Sequence, residues 1–581
     1  MHVEDLSLIA VGGLILVVAI AILAGRVRIA APLILVVVGI GIGYIPNVSP
    51  IVVDPEIILL VVLPPLLYAA AVSVPVIDLR RNLGPISALS VVLVIISAVV
   101  IGVLLHWLIP EIPLAAAIAL GAVVAPTDAV AATSIGKRVG MPPRLVTILE
   151  GESLVNDATS LVLLRTALAA VAGGFSFWHA AGQFAYAVTA AIIIGFLIGF
   201  VTVWLRSKIT NPVYDTVVSF AVPFISFVPT EYVGASGVLA VVITGLYSGH
   251  YATRKFTATA RVNERLNWRT AQFLLENGVF LLMGLEMHNL ADDSRHSSLH
   301  IAHLLLLAVG VVVLLIVLRM LFMYFVTWRL AAALPRQQAR AQGMRRIADR
   351  VHTRPPSEDA RVSSRMRRFE RAVRRSEADA QHARDQGLDW HGATILGWSG
   401  MRGVVTLAAA QSIPTSIEFR SQLVLIAFFA AVITLLLHGL SLPGLIRKLR
   451  PSGPTADQRS TELTSLYTDL MESGEEALRA AQLEDAEHQV PSEAVVRRAR
   501  TSMHNSLAPL VYVIPPSDKA KRGRAESDAR AYMRLAHTII EAQRATLLDE
   551  RAVGQYSSEV LRAAEEALDA HEIRLTPPQK H

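Results

Sequence analysis

Apolar positions in this chain come in long blocks. Through residues 1–330 the blocks run about 17–25 residues and are separated by short polar connections. At 1.5 Å per residue in a helix, such a block matches a bilayer core of about 30 Å. Thirteen segments of this kind can be placed, at about 7–25, 30–46, 56–76, 84–108, 113–134, 145–170, 179–205, 213–229, 233–250, 270–288, 300–328, 391–412 and 421–440. The pattern predicts an all-α, polytopic membrane protein of about thirteen transmembrane helices. The first run, about 7–25, lacks a basic leading region and an A-x-A cleavage signal, so it reads as a retained span and not a signal peptide.

The connections predict orientation. Every second one is basic: RVR at 26–28, DLRRN at 78–82, GKRVGMPPR at 136–144, RSK at 206–208, then 254–269 and 336–384. The intervening connections carry little basic charge. Positive residues collect on the cytoplasmic side, which puts the N-terminus outside and the C-terminus inside.

Polar character is confined to 335–390 and 450–581. The organisation expected is a transmembrane domain over 1–444, with an Arg-rich cytoplasmic loop at 335–390, followed by a helical cytoplasmic domain over 445–581. The loop holds 14 Arg, no Lys and 8 acidic residues. It reads as a solvated loop obeying the orientation rule, with contact to anionic lipid headgroups as the sharper alternative. No recognition motif accompanies the arginines, so nucleic acid is not an expected partner. In the tail, 456–485, 492–505 and 525–571 have helical composition.

Composition agrees with a membrane chain. The sequence is 53% hydrophobic and 17% charged, with mean hydropathy +0.49, against about 25% charged in a soluble chain. It has no cysteine, which excludes disulfides, thiolate metal sites and cysteine nucleophiles. Its 17 histidines show no metal spacing; His106 and His438 fall near span ends and read as interfacial.

Against this background, carboxylates inside spans stand out, because an ionisable group at membrane depth marks a functional site by default. The segment ILEGESLVNDATSLVLL at 148–164 carries Glu150, Glu152, Asn156 and Asp157. At helical spacing, Glu152 with Asn156 and Ser153 with Asp157 form two adjacent polar faces. Glu150 is expected to be wetter. In LGAVVAPTDAVAAT at 120–133, Pro126 interrupts the helix just before Thr127 and Asp128. In GWSGMRGVVTLAAAQSIP at 397–414, three glycines surround Arg402. Both read as broken helices, and freed backbone at this depth is tolerated only in a cavity or buried in protein. Two broken helices in corresponding places point to a secondary transporter built from inverted repeats. Arg319 and Glu276, also inside spans, read as a buried structural pair with each other or with the Glu152 cluster. Asp215, at the start of a span, is expected to face the cytoplasmic mouth.

The motifs APTDAVA, EGESLVNDATSLV, GASGVLAVVITGL, ENGVFLLMGLE and GWSGMRGVVTLAAAQSIP resemble, in order and spacing, those of the monovalent cation:proton antiporters, sodium/proton exchanger branch, bacterial NhaP-like. The resemblance covers about residues 5–445. It implies a core domain moving against a dimerisation domain, in a homodimer, with one cation site at mid-membrane and no cofactor. By motif position, Asp157 would bind the cation or a proton. Asp128 and the Thr127 backbone would help form the site, Ser153 would offer a hydroxyl, and Glu152 and Asn156 would form a structural pair near Arg402. The implied activity is electroneutral sodium/proton antiport (possibly with lithium) in the plasma membrane, serving pH and cation homeostasis; potassium/proton exchange is the alternative. Where many relatives carry an acid in the third span, this chain has Ala69, which removes one oxygen supplier. An intramembrane enzyme would need a nucleophile with a base or paired metal ligands, and neither H-E-x-x-H nor G-x-S-x-G occurs.

Overall fold

The computed structural model describes residues 3–27, 31–45, 55–171, 177–295, 301–352, 387–414 and 419–451, with isolated positions between 369 and 376, at 417, and between 468 and 501. Fifteen principal helices are labelled here: α1 Val3–Val27, α2 Ala31–Gly43, α3 Leu63–Ser73, α4 Val94–Leu108, α5 Leu114–Val124, α6 Ala129–Val139, α7 Pro143–Val171, α8 Phe177–Arg206, α9 Pro212–Tyr232, α10 Gly237–Lys255, α11 Ala258–Arg295, α12 Ile301–His352, α13 Trp390–Trp398, α14 Val404–Gln411 and α15 Arg420–Leu449. No strand occurs among the described residues. π-helical turns at Ile58–Val62 and Ala88–Leu93 lead into α3 and α4.

Seven segments among the described residues are long and apolar enough to cross a membrane, and four shorter apolar helices accompany them. The fold is therefore all-helical and polytopic. Broken elements explain part of the difference from thirteen. α13 and α14 are only 9 and 8 residues long. α11 carries charged residues along its length, so hydropathy alone does not single it out. The outer faces are apolar, with Leu197, Phe200 and Val217 among the exposed large side chains. Trp107, Trp178 and Tyr232 are exposed near helix ends, where amphipathic rings suit a membrane–water boundary.

The helices pack as two bundles. α1, α2, α3 and α8–α11 contact one another in one; α4–α7 and α12–α15 form the other. The bundles meet where α11 touches α14 and α15, and where α7 touches α3 and α10. Within the second bundle an apolar cluster buries Leu120 and Val123 of α5, Val312 and Leu315 of α12, and Leu423 and Leu425 of α15. Small residues permit close helix approach, as association in a lipid environment requires. At the α2–α11 crossing, a Cβ on Gly39 would lie 2.9 Å from the Cα of Gly284, and one on Gly284 would lie 2.8 Å from the Cα of Gly39.

The eleventh span does not end at 328. α12 runs 52 residues, through Pro335 to His352. Residues 336–352 hold five Arg, three Ala and three Gln, which favour helix, so the Arg-rich segment begins as a continuation of α12. Most of the remaining loop and the 525–571 segment lie outside the described residues. The chain divides into two units, Met1–Gly453 and Pro454–His581. In the second, the described positions are helical, and Arg500 pairs with both oxygens of Glu475 at 2.8 and 3.2 Å.

Replacing Gly284 with Val is expected to destabilise the α2–α11 crossing by about 1–3 kcal/mol through overpacking. Thermal unfolding in detergent should register a lowered midpoint, and an unchanged midpoint would show that the crossing has slack.

Candidate functional site

The two breaks predicted from Pro126 and from the glycines around Arg402 are present, and they lie against each other. α5 stops at Val124 and α6 restarts after Asp128. α13 stops at Trp398 and α14 restarts after Gly403. Each break supplies what the other lacks. The Asp128 N–H donates to the Met401 carbonyl at 2.8 Å. Arg402 donates from Nε to the Val124 carbonyl at 3.0 Å and from Nη1 to the Gly400 carbonyl. A guanidinium on the terminal carbonyls of two half-helices satisfies acceptors that would otherwise be orphaned in a dry interior, and it complements the negative ends of their dipoles. The Arg402 N–H donates to Thr434 Oγ1 of α15 at 3.2 Å.

Asp128 has two attachments. Its Oδ1 accepts from the Val130 N–H at 2.8 Å, capping α6. The rest of its carboxyl group packs on Gly403, where a Cβ would collide with it. This is a close approach only glycine allows.

α7 supplies the opposite wall. Glu152 Oε1 accepts from the Thr127 hydroxyl at 2.8 Å. Asn156 Nδ2 donates to the Thr127 carbonyl at 3.0 Å and to its Oγ1 at 3.2 Å. Ser160 Oγ donates to the Ala122 carbonyl at 2.8 Å. A single face of α7 thus holds the unwound stretch of the α5–α6 pair.

The partner of Glu152 is Arg319, not Arg402. Arg319 of α12 grips both Glu152 oxygens, with Nη2 to Oε2 at 2.8 Å and Nη1 to Oε1, and its Nε donates to the Leu396 carbonyl at 3.0 Å. Arg319 thus joins the Glu152 cluster, one of the two pairings expected of it, while Arg402 lies within electrostatic reach of Glu152 but makes its side-chain hydrogen bonds to backbone carbonyls. Glu276 does not pair with Arg319 either. It lies buried on α11, in the other bundle, and accepts from Gln272 Nε2 at 2.6 Å.

Asp157 differs from its neighbours. It is 6% exposed and has no hydrogen-bond partner among the described residues. Asp128 is near enough for the two carboxylates to act on each other electrostatically. Ser153 lies one turn earlier and is half-buried, and the Asn156 Oδ1 is buried without a partner. Around the breaks, three buried or half-buried carboxylates (Glu152, Asp128 and Asp157) face two buried guanidiniums (Arg319 and Arg402). One negative charge is left over. A buried charge without a partner is strongly unfavourable, so this arrangement can hold one proton or one monovalent cation. Thr127 offers its carbonyl, which retains a second lone pair beside the bond from Asn156. Ala69 is buried on α3 and offers no oxygen from its side chain.

Other positions fall differently from expectation. His438 is not interfacial: it is fully buried on α15, edge-on to Trp398 at 5.2 Å, and neither ring nitrogen has a partner. Asp215 does not face an open mouth. Both its oxygens bind the buried Arg206, at 2.7 and 2.9 Å, and Glu264 joins them at 2.5 Å. The 9-residue spacing of Arg206 and Asp215 across a short connection between spans is a sequence signal for that pair. Glu150 is the wetter carboxylate, bonded to Lys137 at 3.0 Å.

Removing one member of the Glu152–Arg319 pair should destabilise by about 3–5 kcal/mol. Arg319→Ala is expected to lower folded yield and melting temperature sharply. Combining Glu152→Gln with Arg319→Gln should lower them less. A double variant as unstable as Arg319→Ala would contradict a pairwise origin of the effect.

Comparison with known proteins places these features. Residues 13–448 match the family described as sodium/hydrogen exchanger, transmembrane. An uncharacterized Na(+)/H(+) exchanger of Mycobacterium tuberculosis is 26% identical over 97% of this chain and 97% of its own length. A sodium, potassium, lithium and rubidium/H(+) antiporter of Bacillus pumilus is 28% identical over 79% of this chain and 63% of that protein. Among solved structures, the sodium proton antiporter MjNhaP1 of Methanocaldococcus jannaschii matches with a TM-score of 0.55 and 18% identity, covering 76% of this chain and 99% of that one; it speaks for the fold. The chain belongs to the sodium/hydrogen exchanger family of cation/proton antiporters, a family of transporters and not enzymes.

Proposed function

We propose that this protein exchanges sodium for a proton by alternating access, at a single site centred on Asp157. The observation that carries this reading is the surplus negative charge at two clasped helix breaks, with Asp157 as the acid that no protein donor satisfies. Empty, the site is a buried uncompensated carboxylate. Loaded with a proton or a cation, it is balanced and can cross. That inequality makes exchange obligatory. Asp128, the Thr127 carbonyl and Ser153 complete the oxygen set, while Glu152, Arg319, Asn156 and Arg402 fix its geometry. With neutral Asn156 beside Asp157, one ionisable group serves the pair, which favours one cation per proton.

The second bundle is the moving core and the first the dimerising scaffold of a homodimer in the plasma membrane. The alternation of basic connections supports an N-terminus outside and a tail in the cytoplasm. The physiological role is pH and cation homeostasis, and the Arg-rich loop meets anionic headgroups. Potassium/proton exchange is the second reading. It is favoured by Ala69, which withdraws a carboxylate from the cation, and is in line with the breadth of ions in the name of the Bacillus relative.

Proteoliposomes loaded with a pH dye, challenged in turn with sodium, potassium and lithium, test the reading. Wild type should move protons with sodium, and Asp157→Asn should move none. Retained exchange in that variant would remove Asp157 as the carrier. Proton and cation compete for one group, so below its pKa each lower pH unit should raise the half-saturating cation concentration about tenfold, at unchanged maximal rate. A maximal rate that falls with no change in half-saturation would contradict a shared site. Gly403→Ala keeps every charge and displaces the Asp128 carboxyl; exchange should fall at least about tenfold, and near-wild-type rates would show that the Asp128 position is not critical.

A further inference from the structure

Buried carboxylates in this protein have recognisable reasons to be there. Glu152 has Arg319, and Asp215 and Glu264 share Arg206. Glu286 accepts from Gln411. Asp128 caps a helix and Asp157 is the acid of the proposed site. Glu276 has none of these explanations. It is 8% exposed. Its hydrogen bond comes from Gln272, one turn earlier on its own helix, and no basic side chain pairs with it among the described residues.

A purely structural role accounts poorly for this. A neutral amide at 276 would serve Gln272 equally well, without placing an ionisable group at membrane depth. Position supplies the missing reason. α11 belongs to the first bundle but packs on α14 and α15, the helices that flank the Arg402 break. The charge of Glu276 is within electrostatic reach of Asp128 across that boundary. α3, another helix from this side, has Ala69 where an acid could have stood, so it supplies no carboxylate there.

We infer that Glu276 is a cation-affinity residue of the antiport site, a carboxylate contributed by the first bundle to the monovalent cation bound by the second. The inference rests on the antiport reading above. In it, the cation sees Asp157 and Asp128 throughout, and Glu276 only while the bundles are in the register seen here. Gln272 acts as a positioning residue that aims one Glu276 oxygen and leaves the other for the ion. Because the two bundles move against each other, this contact is made on one side of the cycle and lost on the other, so Glu276 sets cation affinity for one face of the membrane.

The test uses full-length protein in proteoliposomes, with initial rates measured against sodium, potassium and lithium from each side in turn. Glu276→Gln should raise the half-saturating concentration about tenfold or more on one side, as loss of a close charge partner implies. The other side should change less, and the maximal rate should stay within about twofold. Glu276→Asp keeps the charge but withdraws the oxygen by one methylene, and should fall between the two on the same side. That variant carries the test if Glu276→Gln does not reach the membrane. Unchanged half-saturation on both sides, or a maximal rate that falls in step with folded protein at constant half-saturation, would overturn the assignment. A wild type that moves no protons with any of the three ions would remove the antiport reading and this assignment together. A wild type that exchanges, with variants of unaltered half-saturation, would remove only the assignment.

Discussion

The clasp between the two helix breaks is the constraint on which the rest of this structure depends. Each break frees backbone groups where no water is at hand, and each is satisfied by the other. Asp128 donates its N–H to the Met401 carbonyl, while Arg402 takes the carbonyls of Val124 and Gly400. Neither half-helix pair could keep its gap alone. α7 then reads the gap through Glu152, Asn156 and Ser160, and α12 joins through Arg319. Four separate stretches of chain converge to stabilise a few residues of irregular backbone. The outcome is a site whose polar groups are nearly all occupied with one another, with Asp157 left open.

Much of this was legible in the sequence, for physical reasons that differ by residue. Length and apolarity identify spans because the bilayer imposes a thickness. Pro126 announces a break because it removes a donor, and Gly397, Gly400 and Gly403 announce the second. Helical periodicity puts Glu152, Asn156 and Asp157 on neighbouring faces of α7. It does not say what stands opposite. Arg319 is 167 residues from Glu152 in sequence, and only packing of α12 on α13 and α15 brings the two together. The same limit explains His438, which is near the end of a hydropathy block yet lies behind Trp398. It also explains Asp215, whose place at a helix start suggested solvent until Arg206 was seen to cover it. The helical continuation of α12 to His352 is not legible from hydropathy, because polar composition marks departure from the membrane and not the end of a helix.

Division into two bundles gives the site its asymmetry. The clasp, the ion pair and Asp157 all belong to one bundle, which sets these polar groups beside a tightly packed apolar cluster. The other bundle is joined by close glycine crossings such as Gly39 on Gly284 and carries its own buried charge cluster around Arg206. Each body is thus internally tied by its own polar bonds. They meet through α3, α7, α10, α11, α14 and α15, the boundary across which the proposed movement would occur.

The shortness of the half-helices has an electrical consequence. α5, α6, α13 and α14 have 11, 11, 9 and 8 residues, or about 12–17 Å each, near half the thickness of a hydrocarbon core. Their meeting point is therefore close to mid-depth, where the membrane voltage divides almost evenly between the two routes of entry. A single charge stepping from either bath to that point works against about half of the full drop, on the order of 1.2 kcal/mol per 100 mV. On the antiport reading, opposite faces would thus experience comparable field, and the depth of the site alone would privilege neither direction of turnover.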